Sequence, residues 1–60
     1  MTRKDYIKLA DALLSAHNET RTQETRETVE LTASYIADVL ARDNPRFDRQ
    51  RFLTASGVQP

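Results

Sequence analysis

The sequence predicts an all-α fold, in which a mid-length helix and a long helix form a hairpin that a short C-terminal helix closes. Apolar residues recur at helical spacing in two segments, and the last quarter of the chain carries start and stop signals for a third helix. No segment alternates between polar and apolar residues as a strand does. We expect one small domain over residues 1–60, with helices at about 3–17, 21–43 and 48–56.

The first helix is predicted from a start signal and an apolar face. Thr2 and Asp5 have the spacing of a capping box. On a helical wheel the apolar side chains of residues 6–14 gather on one side, and the charged side chains lie opposite. His17 falls on the apolar side in the last turn, and the chain is expected to leave the helix at Asn18.

The second helix is predicted to follow Thr20, which forms a second candidate capping box with Gln23, and to run to about Asp43. Its apolar arc begins at Tyr35 and extends around the helix to Ala33 and Ala37. Its first two turns, residues 21–28, contain no aliphatic or aromatic side chain. Because these turns have little to bury, they either fray or project beyond the first helix.

The third helix has a complete set of local signals. Asp48 is a natural N-cap, and Phe47 before it can pack on Phe52 as a hydrophobic staple. Gly57 suits the left-handed position just after a helix, where the next residue contacts the last turn. The predicted core of the whole chain is Tyr6, Ile7, Ala10, Leu13, Leu14, Val29, Ile36, Val39, Leu40, Phe47, Phe52 and Leu53.

Composition limits the means of stabilising so short a chain. A domain of this length buries only about 60% of the surface that its unfolded chain exposes. Cysteine is absent and histidine occurs once, so disulfides and the usual intramolecular zinc sites are excluded. We expect no cofactor, and we expect stability to come from good helix packing or from a partner such as a second copy of the chain.

Charge and hydropathy point to a cytoplasmic protein. Nine basic residues balance nine acidic ones, so the chain lacks the basic field typical of nucleic-acid binding. No apolar run approaches the length of a membrane span, and no signal-peptide pattern follows the N-terminus.

Catalytic chemistry has little support in the sequence. His17 could act as a general base or as half of an intermolecular metal site, but no nucleophile or orienting carboxylate is expected beside it. A role at the helix end, where its partial positive charge suits the helix dipole, is favoured. Glu24, Glu27 and Glu30 follow one another at helical spacing, yet they are expected on a solvated surface. The chain is therefore predicted not to be an enzyme.

The C-terminal third holds the one concentration of basic side chains. Arginine binds phosphate and carboxylate through two parallel hydrogen bonds, so this cluster could contact nucleic acid or an acidic protein. Asp43 and Asp48 lie within the cluster, however, and pairing inside the chain is favoured. The nucleic-acid alternative depends on Arg42, Arg46, Arg49 and Arg51.

Leu31 lies outside the predicted core stripe of the second helix, beside Tyr35. A single exposed leucine is common, but a chain with so small a core has reason to bury both side chains against a partner. The candidate partner-binding residues are Leu31, Tyr35, Glu24, Glu27 and Glu30. Residues 29–35 could also pair with the same stretch of a second copy in antiparallel orientation, which predicts a homodimer.

Two segments resemble a group of very short phage and prophage proteins. Residues 1–6 read MTRKDY, and the segment from Asn44 onward reads NPRFDRQRFLTASGV. In that group an MTRKDY-like opening and an NPRFDRxRFLxACG-like ending recur around a variable middle. Ser56 departs from the pattern, which has cysteine there. The resemblance implies origin and shape; by analogy with phage accessory proteins, it favours binding to a host protein as the function.

Overall fold

The structure is a computed structural model that describes residues 1–59. Within that range it contains three helices and no strand: α1 (Arg3–Asn18), α2 (Gln23–Asp43) and α3 (Arg49–Ala55). Each helix packs against the other two, so α3 packs across both helices of the α1–α2 hairpin. With its flanking residues it reaches from Tyr6, near the start of α1, to His17 in the last turn of α1, and does not close one end only. The predicted all-α fold, with a mid-length, a long and a short helix, is confirmed.

The start of α1 matches the predicted capping box. The carboxylate of Asp5 accepts a hydrogen bond from the backbone N–H of Thr2 at 2.9 Å. It also accepts one from the hydroxyl of Thr2 at 3.2 Å. Asp5 therefore orders the residue before the helix and places a negative charge in the first turn, where the helix dipole favours it.

The predicted cap of the second helix is wrong by two residues. The side chain of Thr22, and not that of Thr20, accepts from the backbone N–H of Thr25 at 3.1 Å. The hydroxyl of Thr20 instead donates to the carbonyl of His17 at 2.7 Å and so completes the end of α1. Thr20 with Gln23 has the stronger capping-box signal, so the start of α2 at Thr22 depends on how the chain turns between α1 and α2. From residue 23 onward the polar first turns are helical, with exposed side chains through residue 28.

The start of α3 forms as predicted. The carboxylate of Asp48 accepts from the backbone N–H of Arg51 at 3.0 Å. The rings of Phe47 and Phe52 pack with their centroids 5.4 Å apart, which is the predicted hydrophobic staple. Tyr6 extends this cluster, since its ring meets Phe47 edge-on at 4.9 Å.

The end of α3 is a Schellman motif. Gly57 has a φ of +93°, and the backbone N–H of Val58 donates to the carbonyl of Leu53 at 2.9 Å. Ser56, just before the glycine, is fully buried, and its hydroxyl donates to the carbonyl of Phe52 at 2.9 Å. A thiol at position 56 would lie inside the protein, so the residue there has a packing role.

The core is narrower than the sequence predicted. Half-buried apolar residues surround it, and Leu14 and Val29 are half-buried outside the central cluster. The buried apolar residues are Ala10, Ala33, Ala37, Leu40, Phe52 and Leu53. Packed against them are Tyr6, Leu9, Leu13, Ile36, Phe47 and Val58.

Two predicted core residues are exposed. Ile7 is 57% exposed and Val39 is 54% exposed. On α1 the buried face is turned toward Leu9 and away from Ile7. On α2 it is centred on Ala33 and Ala37, which are too small to dominate a hydrophobicity pattern but allow neighbouring helices to approach closely.

Candidate protein-interaction face

The outer face of α2 exposes three large apolar side chains. Leu31 is 56% exposed, Tyr35 is 65% exposed and Val39 is 54% exposed. They follow one another at intervals of four residues, so they lie along one side of the helix. Exposed apolar residues scattered singly are ordinary, whereas an aligned row of this kind is typical of an interaction site.

The row faces outward because the opposite side of α2 meets the other helices. Ala33, Ala37 and Leu40 are buried on that side. In a helix of 3.6 residues per turn, Leu31 and Tyr35 then lie nearly opposite the buried residues. The sequence predicts both as partner-binding residues; in the structure both are exposed, and Val39 lies in the same row.

Fewer exposed carboxylates accompany this row than the sequence predicted. Glu24 and Glu27 are exposed on α2. Glu30 is turned toward α1, where its Oε2 lies 3.0 Å from Nε2 of His17. The expectation that no carboxylate accompanies His17 was therefore wrong, as was the assignment of Glu30 to the free acidic surface. Both errors follow from the displaced buried face of α2.

Threonine hydroxyls contribute less polarity to this face than the sequence suggests. The hydroxyl of Thr28 donates to the carbonyl of Glu24 at 3.1 Å, and that of Thr32 donates to the carbonyl of Thr28 at 2.8 Å. Such bonds within one helix use the side-chain donors locally. A partner helix would thus meet small residues whose hydroxyl protons are already engaged.

The His17–Glu30 pair is a structural contact between helices. The side chain of His17 is 16% exposed and that of Glu30 is 34% exposed. The imidazole also lies against Gly57, since a Cβ built on that glycine would be 3.2 Å from Nδ1. Within residues 1–59 no group of three histidine, aspartate or glutamate side chains converges as a metal site would require.

The four arginines of the nucleic-acid alternative are not brought together. Arg49 donates from Nε to Asp38 at 2.9 Å. The pairing lies inside the chain, as predicted, but the partner is Asp38 and not Asp43 or Asp48. Arg42 lies at the C-terminal end of the outer face of α2, beside Tyr35 and Val39.

The other two arginines border a separate groove between the start of α1 and α3. This groove has a volume of about 390 Å³, and Arg46 and Arg51 line it together with Arg3. The rings of Tyr6 and Phe52 contribute to its walls. Arg3 is not among the residues predicted from the sequence, although its spacing from Tyr6 and Ala10 places all three on one face of α1.

Comparison with known proteins gives no family assignment. No family model, curated protein or solved structure matches the chain. Among residues 1–59, the helices fall short of the combined length and apolarity that crossing a bilayer requires.

Proposed function

We propose that this chain is a non-enzymatic protein that acts by binding another protein through the outer face of α2. The observation that carries the proposal is the aligned exposure of Leu31, Tyr35 and Val39. Burying these side chains against a partner would remove apolar surface from water, which is the main favourable term in protein association. A chain with so few buried side chains of its own also gains stability from such a contact.

The charge around this row supports a particular kind of target. Glu24 and Glu27 are exposed on the N-terminal half of α2 and offer carboxylates beside the apolar side chains. A protein that normally binds nucleic acid presents basic groups for phosphate, and those groups would attract this surface. The phage resemblance of residues 1–6 and of the C-terminal segment agrees with a host protein as target, in the bacterial cytoplasm.

Affinity capture from bacterial lysate tests this proposal. Wild-type chain and Leu31→Asp are used as baits, with Ile7→Asp as the matched control. Ile7 is as exposed as Leu31 but lies on α1, so both variants place one new charge on an exposed apolar position. We expect Leu31→Asp to lose a partner that the other two baits retain. Recovery of the same proteins by all three baits would refute the α2 face.

A second candidate function is nucleic-acid binding at the arginine groove. The supporting observation is that Arg3, Arg46 and Arg51 line one groove with the half-buried ring of Tyr6, on which a base could stack. The carboxylate of Asp48 lies in the same groove and opposes this function. A gel shift with random-sequence DNA at low salt tests it. Arg46→Ala should reduce the salt dependence of binding by about one phosphate contact, whereas Arg21→Ala, at an exposed position in the α1–α2 connection, should not. No shift at high protein concentration would end this alternative.

A further inference from the structure

The outer face of α2 has the residue spacing of a coiled-coil seam. Its exposed side chains recur in alternate steps of four and three residues. This is the spacing with which two helices keep one side in contact over several turns. The seam positions are Glu24, Thr28, Leu31, Tyr35, Asp38 and Arg42, and all six are exposed.

Read in opposite directions, two copies of this series of residues place apolar side chains opposite apolar ones and an acidic side chain opposite a basic one. We propose that α2 pairs with α2 of a second copy of this chain, antiparallel about a two-fold axis, in the register that sets Leu31 opposite Tyr35. In that register Thr28 lies opposite Asp38. Glu24 lies opposite Arg42, so the dimer contains this pair twice. The inference rests on the proposed binding role of the α2 face and names its partner.

Charge selects the antiparallel orientation. In a parallel pair each seam residue would meet its own copy, so that Glu24 and Arg42 would each face a like charge, which is destabilising. Asp38 already pairs with Arg49 of its own chain and contributes less to this choice. An antiparallel pair shifted by one heptad would separate Leu31 from Tyr35 and Glu24 from Arg42 at the same time. The proposed register thus pairs the apolar residues at the centre with each other and the opposite charges at the two ends.

The residues beside the seam allow the helices to approach. Thr32 flanks the two-fold axis on one side and Ser34 on the other, and both are small. Next to Tyr35, a shallow depression is lined by Val39, Ala41 and Arg42. In the proposed register Leu31 of the second copy packs on Tyr35 at the edge of this depression, so these two side chains become buried together.

Charge-reversed variants test the register. Association is measured by light scattering and sedimentation across an approximately hundredfold dilution, with melting temperature recorded at each concentration because a dimer gains stability with concentration. We expect Glu24→Arg and Arg42→Glu each to weaken the dimer about tenfold, since each turns two attractive pairs into repulsive ones. The double variant restores the opposite charges and should return the dissociation constant to near the wild-type value.

Cysteine cross-linking tests the orientation and does not depend on the charge variants. The chain contains no cysteine, so a disulfide can form only between introduced residues. An oxidised mixture of Glu24→Cys and Arg42→Cys should give the mixed dimer in excess, because each position lies far from its own copy in an antiparallel pair. Predominance of the two homodimers, each position linked to itself, would refute the register.

The outcomes separate this inference from the proposed function. A wild-type chain that stays monomeric at every concentration refutes self-pairing, and so does a dimer that survives Leu31→Asp. If the wild-type chain is monomeric but captures a protein that Leu31→Asp does not capture, self-pairing fails while the proposed binding function stands. If the dimer responds to the charge variants as expected, the partner of the α2 face is a second copy.

Discussion

His17 and Glu30 link α1 to α2, with Nε2 and Oε2 3.0 Å apart. His17 lies in the last turn of α1, and Glu30 is in the first half of α2. The contact lies at the end of the hairpin where Gly57 also meets the imidazole. The His17 side chain, in α1, therefore contacts both α2 and the residue that follows the C-cap of α3.

We expect loss of the Glu30 carboxylate to lower stability modestly. Glu30→Ala should lower the free energy of unfolding by about 0.5–1.5 kcal/mol, the usual net value of one hydrogen bond. Glu30→Gln keeps an acceptor for the imidazole and should recover part of the loss. Glu27→Ala, which removes an exposed carboxylate from the same helix, is the control for helix propensity and charge. Equal melting temperatures for Glu30→Ala and Glu27→Ala would show that the contact contributes nothing.

Phe52 is the side chain whose removal should cost most. It is 4% exposed, it packs on Phe47 and it belongs to the buried cluster. Truncation of a buried phenylalanine to alanine costs about 3–5 kcal/mol, as much as the whole core of a chain this short supplies. Phe52→Ala should therefore be unfolded at 25 °C by circular dichroism. Ile7→Ala, at an exposed position, is the control and should remain folded; cooperative melting of Phe52→Ala near the wild-type temperature would contradict the packing.

Local signals made the helices and most of their ends predictable. Thr2 with Asp5, Asp48 with Phe47, and Gly57 each determine structure within a few residues of themselves, so the sequence alone identified them. Thr20 misled the prediction because its hydroxyl has two possible uses, and the start of α2 depends on how the chain turns back.

The buried face of α2 could not be predicted without the tertiary structure, and neither could the residues that meet at His17 and in the arginine groove. Small alanines form the centre of that face, so its displacement away from Tyr35 and Val39 depends on how closely α1 and α3 approach. The same displacement brings Glu30 to His17. The groove that Arg3 shares with α3 was likewise not predicted, since residues from opposite ends of the sequence meet there.

Gly57 should tolerate no side chain. Its φ is +93°, and a Cβ there would lie 3.0 Å from Cδ1 of Leu14 and 3.2 Å from Nδ1 of His17. Gly57→Ala combines backbone strain with crowding, and we expect it to destabilise the chain by about 1–3 kcal/mol. Thr54→Ala, at an exposed position in the last turn of α3, is the control and should melt near the wild-type temperature. An unchanged melting temperature for Gly57→Ala would refute the left-handed closure.

Asp5 should make the start of α1 sensitive to acid. The pKa of its carboxyl lies below the ordinary value of 3.8, chiefly because the backbone N–H of Thr2 donates a hydrogen bond to the carboxylate. In the unfolded chain this bond is absent and the pKa returns to its ordinary value. The folded state therefore favours the charged form, and the stabilisation is fully present above that value and lost as the pH falls through the folded pKa.

The difference in melting temperature between wild-type chain and Asp5→Asn isolates this contribution, because the other carboxyls titrate in both proteins. We expect the wild type to melt higher at neutral pH and the difference to shrink steadily below the ordinary pKa. Asp11→Asn is the matched control, since Asp11 is exposed on the same helix and its replacement leaves the Thr2 bond in place. A difference for Asp5→Asn that stays constant from neutral to strongly acidic pH would show that the carboxylate has no role at the helix start.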